Sequence, residues 1–117
     1  MPLATYSKVL LSGSTSGAPI AISSSSDPGT TLHTAVSGST ALDELWLWCS
    51  NISTLDTVLT IVNGTSSTSA NRIVASVTAT NIQLVVPGIP YNGALRISAF
   101  AATTSNLNCF GYVNRIQ

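Results

Sequence analysis

Alternation with a period of two dominates this chain, and it is interrupted by turn residues every 8–12 positions. A helical spacing of apolar residues at i, i+3 and i+4 occurs nowhere over a useful length. A pleated strand turns successive side chains to opposite faces, so this pattern suits short strands that bury one face. Nine such segments can be placed, over residues 6–11, 18–23, 30–36, 45–51, 57–63, 72–79, 82–86, 94–100 and 107–116. The breaks between them carry specific turn chemistry. Asp27-Pro28-Gly29 combines a fixed φ with a residue that accepts positive φ, and Asn92-Gly93 suits a tight hairpin. Gly13-Ser14-Thr15-Ser16-Gly17, Ser37-Gly38-Ser39 and Pro87-Gly88-Ile89-Pro90 mark further turns, and Asn63-Gly64 opens a polar tip that runs to Asn71. The expectation is an all-β, single-domain antiparallel β-sandwich or jelly roll of about 8–9 short strands spanning residues 1–117.

The surface of such a sandwich would be unusual. Only 7% of residues are charged, against about 25% in an average domain, while the 117 residues include 18 Ser and 15 Thr. Hydroxyls therefore supply most of the polar surface. With four basic and four acidic residues there is no basic face for a phosphate backbone or an anionic lipid surface, so nucleic acid and membrane are not expected partners. The first residues lack a basic region followed by a long apolar run, and no stretch reaches the roughly 20 residues of a membrane-spanning helix. Synthesis in the cytoplasm without a cleaved leader is the expectation. Cys49 and Cys109 lie in apolar segments and form no Cys-x-x-Cys clip. Buried free thiols are expected, with a bridge between them as the alternative.

Residues that could do chemistry are few. His33 is the single histidine, alternating with Leu32 and Thr34 in a strand, and no second His or Cys stands at metal-ligand spacing. No Gly-x-Ser-x-Gly elbow occurs, and the glycine-rich run 13–17 precedes a strand rather than a helix. Asp43 and Glu44 are adjacent, so a strand would point them to opposite faces, and a solvated strand entrance is the expected role. Asp27 reads as a turn residue. Asn51-Ile52-Ser53 and Asn63-Gly64-Thr65 match the glycosylation sequon, which a chain this rich in Ser and Thr produces by chance. No catalytic residue, cofactor or metal site is expected, and the chain is read as a non-enzyme.

Two segments are apolar on both faces. Leu45, Leu47 and Cys49 share one side of their strand, while Glu44, Trp46, Trp48 and Ser50 share the other. Near the end, Leu107, Cys109 and Val113 oppose Phe110, Tyr112 and Ile116. Trp46, Trp48, Phe110 and Tyr112 are thus candidates for a surface buried by association, with roofing by the chain's own loops as the alternative. Trp46 and Trp48, about 7 Å apart along one strand, could also form a platform for a sugar ring.

Several short stretches resemble small virion proteins of tailed bacteriophages, most like capsid decoration (cement) proteins. They are Leu10-Leu11-Ser12-Gly13-Ser14-Thr15, Pro28-Gly29-Thr30-Thr31-Leu32-His33-Thr34-Ala35-Val36, Leu45-Trp46-Leu47-Trp48, Val86-Pro87-Gly88 and Phe110-Gly111-Tyr112-Val113-Asn114-Arg115-Ile116. The resemblance implies a sandwich or jelly roll, often trimeric, seated on the major capsid protein of an assembled head at local symmetry axes. It implies no catalytic residues. A tail, baseplate or head-fibre component and a carbohydrate-binding sandwich remain as alternatives.

Overall fold

The computed structural model describes residues 5–64 and 69–117. Its strands are β1 (Tyr6–Leu10), β2 (Ile20–Ala21), β3 (Thr30–Thr34), β4 (Leu42–Asn51), β5 (Thr57–Asn63), β6 (Arg72–Val77), β7 (Ile82–Tyr91), β8 (Arg96–Ala101) and β9 (Leu107–Ile116). A single 3-10 turn, Ser69–Asn71, precedes β6. The strands form two sheets, β1-β9-β4-β7 with β2 also on β9, and β3-β8-β5-β6. Every pairing is antiparallel.

The connectivity has a simple rule. Strands β1 and β2 both lie along β9, at residues 112–116 and 108–109, and so act as two halves of one broken strand. With that pair counted once, eight strands pair first with last, second with seventh, third with sixth and fourth with fifth. This is an antiparallel ribbon rolled up on itself, closed by the β4–β9 and β5–β8 ladders. The expected sandwich is therefore present, and in its jelly-roll form.

The core follows from the alternation. In β4, Asp43, Leu45, Leu47, Cys49 and Asn51 are buried while the residues between them are half-exposed. Across the sandwich, Leu59 and Ile61 of β5 and Ile97 and Ala99 of β8 meet them, with Leu32, Val77, Val86, Leu107 and Val113 completing the cluster. The inner row of β4 is polar at both ends. Asn51 closes one end: its Nδ2 donates to the carbonyls of Leu55 and Val77, each at 2.9 Å, and its Oδ1 accepts from Ser53. An asparagine so engaged is no glycan acceptor. The second sequon ends on Thr65, outside the described residues.

The largest boundary differences from expectation lie in the second segment and in the seventh, where Pro87-Gly88-Ile89-Pro90 reads as a stop. The second segment shrinks to Ile20–Ala21, and β7 runs through Pro87-Gly88-Ile89-Pro90 to Tyr91. β7 is the edge of its sheet, a position where a strand tolerates prolines. The strand accommodates them with two register shifts against β4, at Leu45/Trp46 and Leu47/Trp48.

Candidate functional site

The outer face of the five-stranded sheet collects most of the aromatic residues, namely Tyr6, Trp46, Trp48, Phe110 and Tyr112. Residues directly opposite in an antiparallel pair share a face. The register sets Trp46 against Tyr112 and Trp48 against Phe110, with Leu10 of β1 beyond Tyr112 and Leu84 of β7 beyond Trp48. Ile82 stands opposite Ser50 at one end, and Tyr6 opposite Ile116 at the other. The four candidate residues Trp46, Trp48, Phe110 and Tyr112 thus lie on one surface, each half-exposed. Around them Tyr6 is 71%, Leu10 56%, Ile82 62% and Leu84 41% exposed.

Their rings are ordered by neighbours across the strands rather than along them. Trp48 stacks on Phe110 with centroids 6.3 Å apart and planes 13° from parallel, and tilts at 31° against Tyr112 at 6.2 Å. Lys8 Nζ sits 4.8 Å from the Tyr112 ring centroid, a cation–π contact. Trp46 is held differently. Its Nε1 donates to Glu44 Oε1 at 2.8 Å, and its indole lies on Gly88, where a Cβ would come within 2.6 Å of the ring. Glu44 Oε1 also accepts from Asn114 Nδ2 at 3.4 Å. Between Trp48, Phe110 and Tyr112 the surface opens into a groove of about 470 Å³, walled by Ile82, by Gly111 and by Gly17 of the β1–β2 loop.

Sequence reasoning found the aromatic members and missed the aliphatic flank. Tyr6, Lys8 and Leu10 alternate in β1, and Ile82 and Leu84 alternate in β7, so the signal was present. Their place beside the aromatics depended on a strand order that alternation alone does not give.

A second cluster lies inside the sandwich, at the end opposite Asn51. Asp43 is fully buried, not part of a solvated strand entrance, because the phase that turns Leu45 and Leu47 inward turns Asp43 inward too. Its carboxylate accepts from His33 Nε2 at 2.8 Å, from the Val36 N–H at 3.0 Å, and from Arg115 Nε and Nη2 at 2.7 and 2.9 Å. Burial alone would raise the Asp43 pKa. The hydrogen bonds from Arg115, His33 and Val36, with the guanidinium charge, outweigh it and hold the carboxyl below its ordinary value. His33 Nδ1 accepts from the Ser12 N–H at 3.0 Å, which leaves Nε2 to carry the proton given to Asp43. Ser12 Oγ in turn accepts from the Thr34 N–H at 2.7 Å. Both imidazole nitrogens are engaged and the ring is 1% exposed, so the Ser12, His33 and Asp43 side chains form a structural clamp between the sheets and not a nucleophile–base pair. Among the described residues no three His, Cys, Asp or Glu side chains gather as metal ligands.

Cys49 and Cys109 are directly opposed across β4 and β9, both fully buried and both free thiols. No protein-family model matches this chain, and no curated protein or solved structure shows significant similarity to it.

Proposed function

We propose that this protein is a structural docking module: a tailed-bacteriophage virion protein that binds the major capsid protein of an assembled head through the outer face of the β1-β9-β4-β7 sheet, as a capsid decoration protein acting as a homotrimer. The carrying observation is that face. Tyr6, Leu10, Tyr112, Trp48, Phe110, Leu84 and Ile82 present apolar area across all four strands, and soluble monomers rarely leave such contiguous area in water. Association removes it from solvent, at about 25 cal/mol per Å² of apolar surface. Charge has little part in the contact, because the face carries a single cation, Lys8 over Tyr112, and a single carboxylate, Glu44 held by Trp46 and Asn114, whose charges offset. A clamp that binds the assembled shell and not its free subunits shifts the equilibrium against disassembly by mass action. Jelly rolls recur in viral capsid and lectin domains, which lends this reading an analogy at the level of fold.

The experiment is co-sedimentation of the protein with mature heads, followed by the temperature at which the heads disrupt. Wild type should bind and raise that temperature, as a particle of about 36 kDa for three 12.0 kDa chains. Leu84→Asp should stay folded and fail to bind. Wild-type protein that leaves heads unbound, or binds without raising the disruption temperature, refutes the proposal. Location in the tail or baseplate would assign it to another part of the virion. A second reading, carbohydrate binding, draws on the groove lined by Trp48, Phe110 and Tyr112. It requires glycan binding that is lost in Trp46→Ala or Trp48→Ala while the oligomer survives.

A further inference from the structure

We propose that Cys49 and Cys109 are an oxidisable dithiol, and that a glutathione-type disulfide converts them into a cross-strand bridge locking β4 to β9 in their native register. The two residues are direct partners in the β4–β9 ladder and project into the core from the same face. Direct antiparallel partners have Cα atoms about 4.5–5.5 Å apart, inside the range a disulfide spans. Their Cβ atoms need to close by about 1 Å, a movement that a ladder accommodates through local twist. Each thiol has the other as its neighbour across the strands. Their mutual hydrogen bond makes Cys49 the more acidic member, while that bond and burial push the Cys109 thiol well up.

The chemistry balances in two exchanges. The thiolate of either cysteine attacks one sulfur of glutathione disulfide, expels a glutathione thiolate and leaves a mixed disulfide. The other cysteine, deprotonated as it reacts, then displaces the second glutathione. Two S–H bonds and one S–S bond become one S–S bond in the protein and two reduced glutathiones, which hold the two electrons. Both sulfurs are fully buried in the folded chain. The exchange belongs to folding, before β4 and β9 are sealed, and the finished bridge is shielded from reductant thereafter.

The bridge would lie directly behind the aromatic face. Trp48 and Phe110, the chain neighbours of the two cysteines, point outward from the same ladder position and stack on each other. Oxidation therefore fixes the spacing of that stack from the inside. It also closes a ring over residues 49–109, which in the chain-entropy model lowers the unfolding equilibrium constant by about a thousandfold.

The test is refolding of the reduced, unfolded chain in a series of glutathione redox buffers, with acid quench, alkylation in denaturant and intact mass. Oxidising buffers should yield a monomeric chain lighter by two hydrogens with no alkyl adduct, and a reductant added in denaturant should restore two adducts. The urea midpoint of the bridged form should rise, while that of Cys109→Ala stays independent of the buffer. Cys49→Ala serves as the control if Cys109→Ala does not fold, and the mass readout needs neither variant. Two adducts per chain throughout the series would overturn the proposal. So would glutathione adducts or linked dimers as the end product, or a bridged form with a midpoint at or below that of the reduced chain.

Discussion

Replacing Asp43 with alanine removes the acceptor that joins β3, β4, β9 and the chain at Val36, and the structure allows the loss to be sized. Four donated hydrogen bonds end on this carboxylate, two of them from Arg115. The Arg115 side chain is 26% exposed, so a freed guanidinium can turn toward water and its loss counts lightly. His33, 1% exposed, has no such exit, and the half-exposed Val36 amide loses its acceptor; a buried donor left without a partner costs about 1–3 kcal/mol. The sum is about 4 kcal/mol, within the span for breaking a buried ion pair by deleting one member. With a urea m-value of about 1–3 kcal/mol per M, the midpoint should fall by about 2 M. Arg115→Met leaves the carboxylate buried with neutral donors only, and the double variant should lose less than the two single losses added together. A midpoint shift under about 0.5 M for Asp43→Ala would refute the idea that the clamp holds this end of the sandwich. The pH dependence has a fixed sign. A carboxyl held below its ordinary value of 3.8 contributes stability that is complete above that value and lost as pH falls through the folded-state value. Wild type should therefore lose stability more steeply than Asp43→Asn below about pH 4.

Three further outcomes are expected. Gly88→Ala puts a Cβ 2.6 Å from the Trp46 ring at a φ of 72°, so it should destabilise by about 1–3 kcal/mol and change the tryptophan emission spectrum. Asn51→Ala frees the Leu55 and Val77 carbonyls and the Ser53 amide, and should lower stability by about 2–3 kcal/mol in urea titration. Docking on heads should weaken little between low and high salt, since the face carries one cation, Lys8, and one carboxylate, Glu44, whose charges offset. A steep loss of binding with salt, measured by sedimentation, would point to a different surface.

How far the sequence revealed this molecule varies from element to element. β4 was legible over residues 45–51 as the most apolar run, and the period of two within it predicted that Trp46 and Trp48 share a face; its first three residues, 42–44, were not read as strand. β7 was cut short because Pro87 and Pro90 break strands in general; their tolerance here depends on an edge position that is a property of the sheet. Asp43 is the more instructive case. Its phase with Leu45 placed it inside, whereas its charge suggested solvent, and the choice turned on Arg115, 72 residues away, and on His33 in the other sheet. Likewise the tryptophans were visible as a pair along one strand. Their actual ring neighbours, Phe110 and Tyr112, come from register across strands and could not be read from spacing.

The first-with-last pairing order has a kinetic side. Each strand pair encloses the next, from β5–β6 at the centre to β1–β9 at the rim, where Thr5 and Gln117 exchange backbone hydrogen bonds. Chain entropy makes the inner hairpin the easiest loop to close, and every pair formed shortens the effective loop for the one outside it. Assembly should proceed like nested brackets closing from within, with a high relative contact order and folding in the millisecond-to-second range. The aromatic face is completed by β9, the last strand to find its place, so a nascent chain cannot display the surface proposed for docking before its fold is finished.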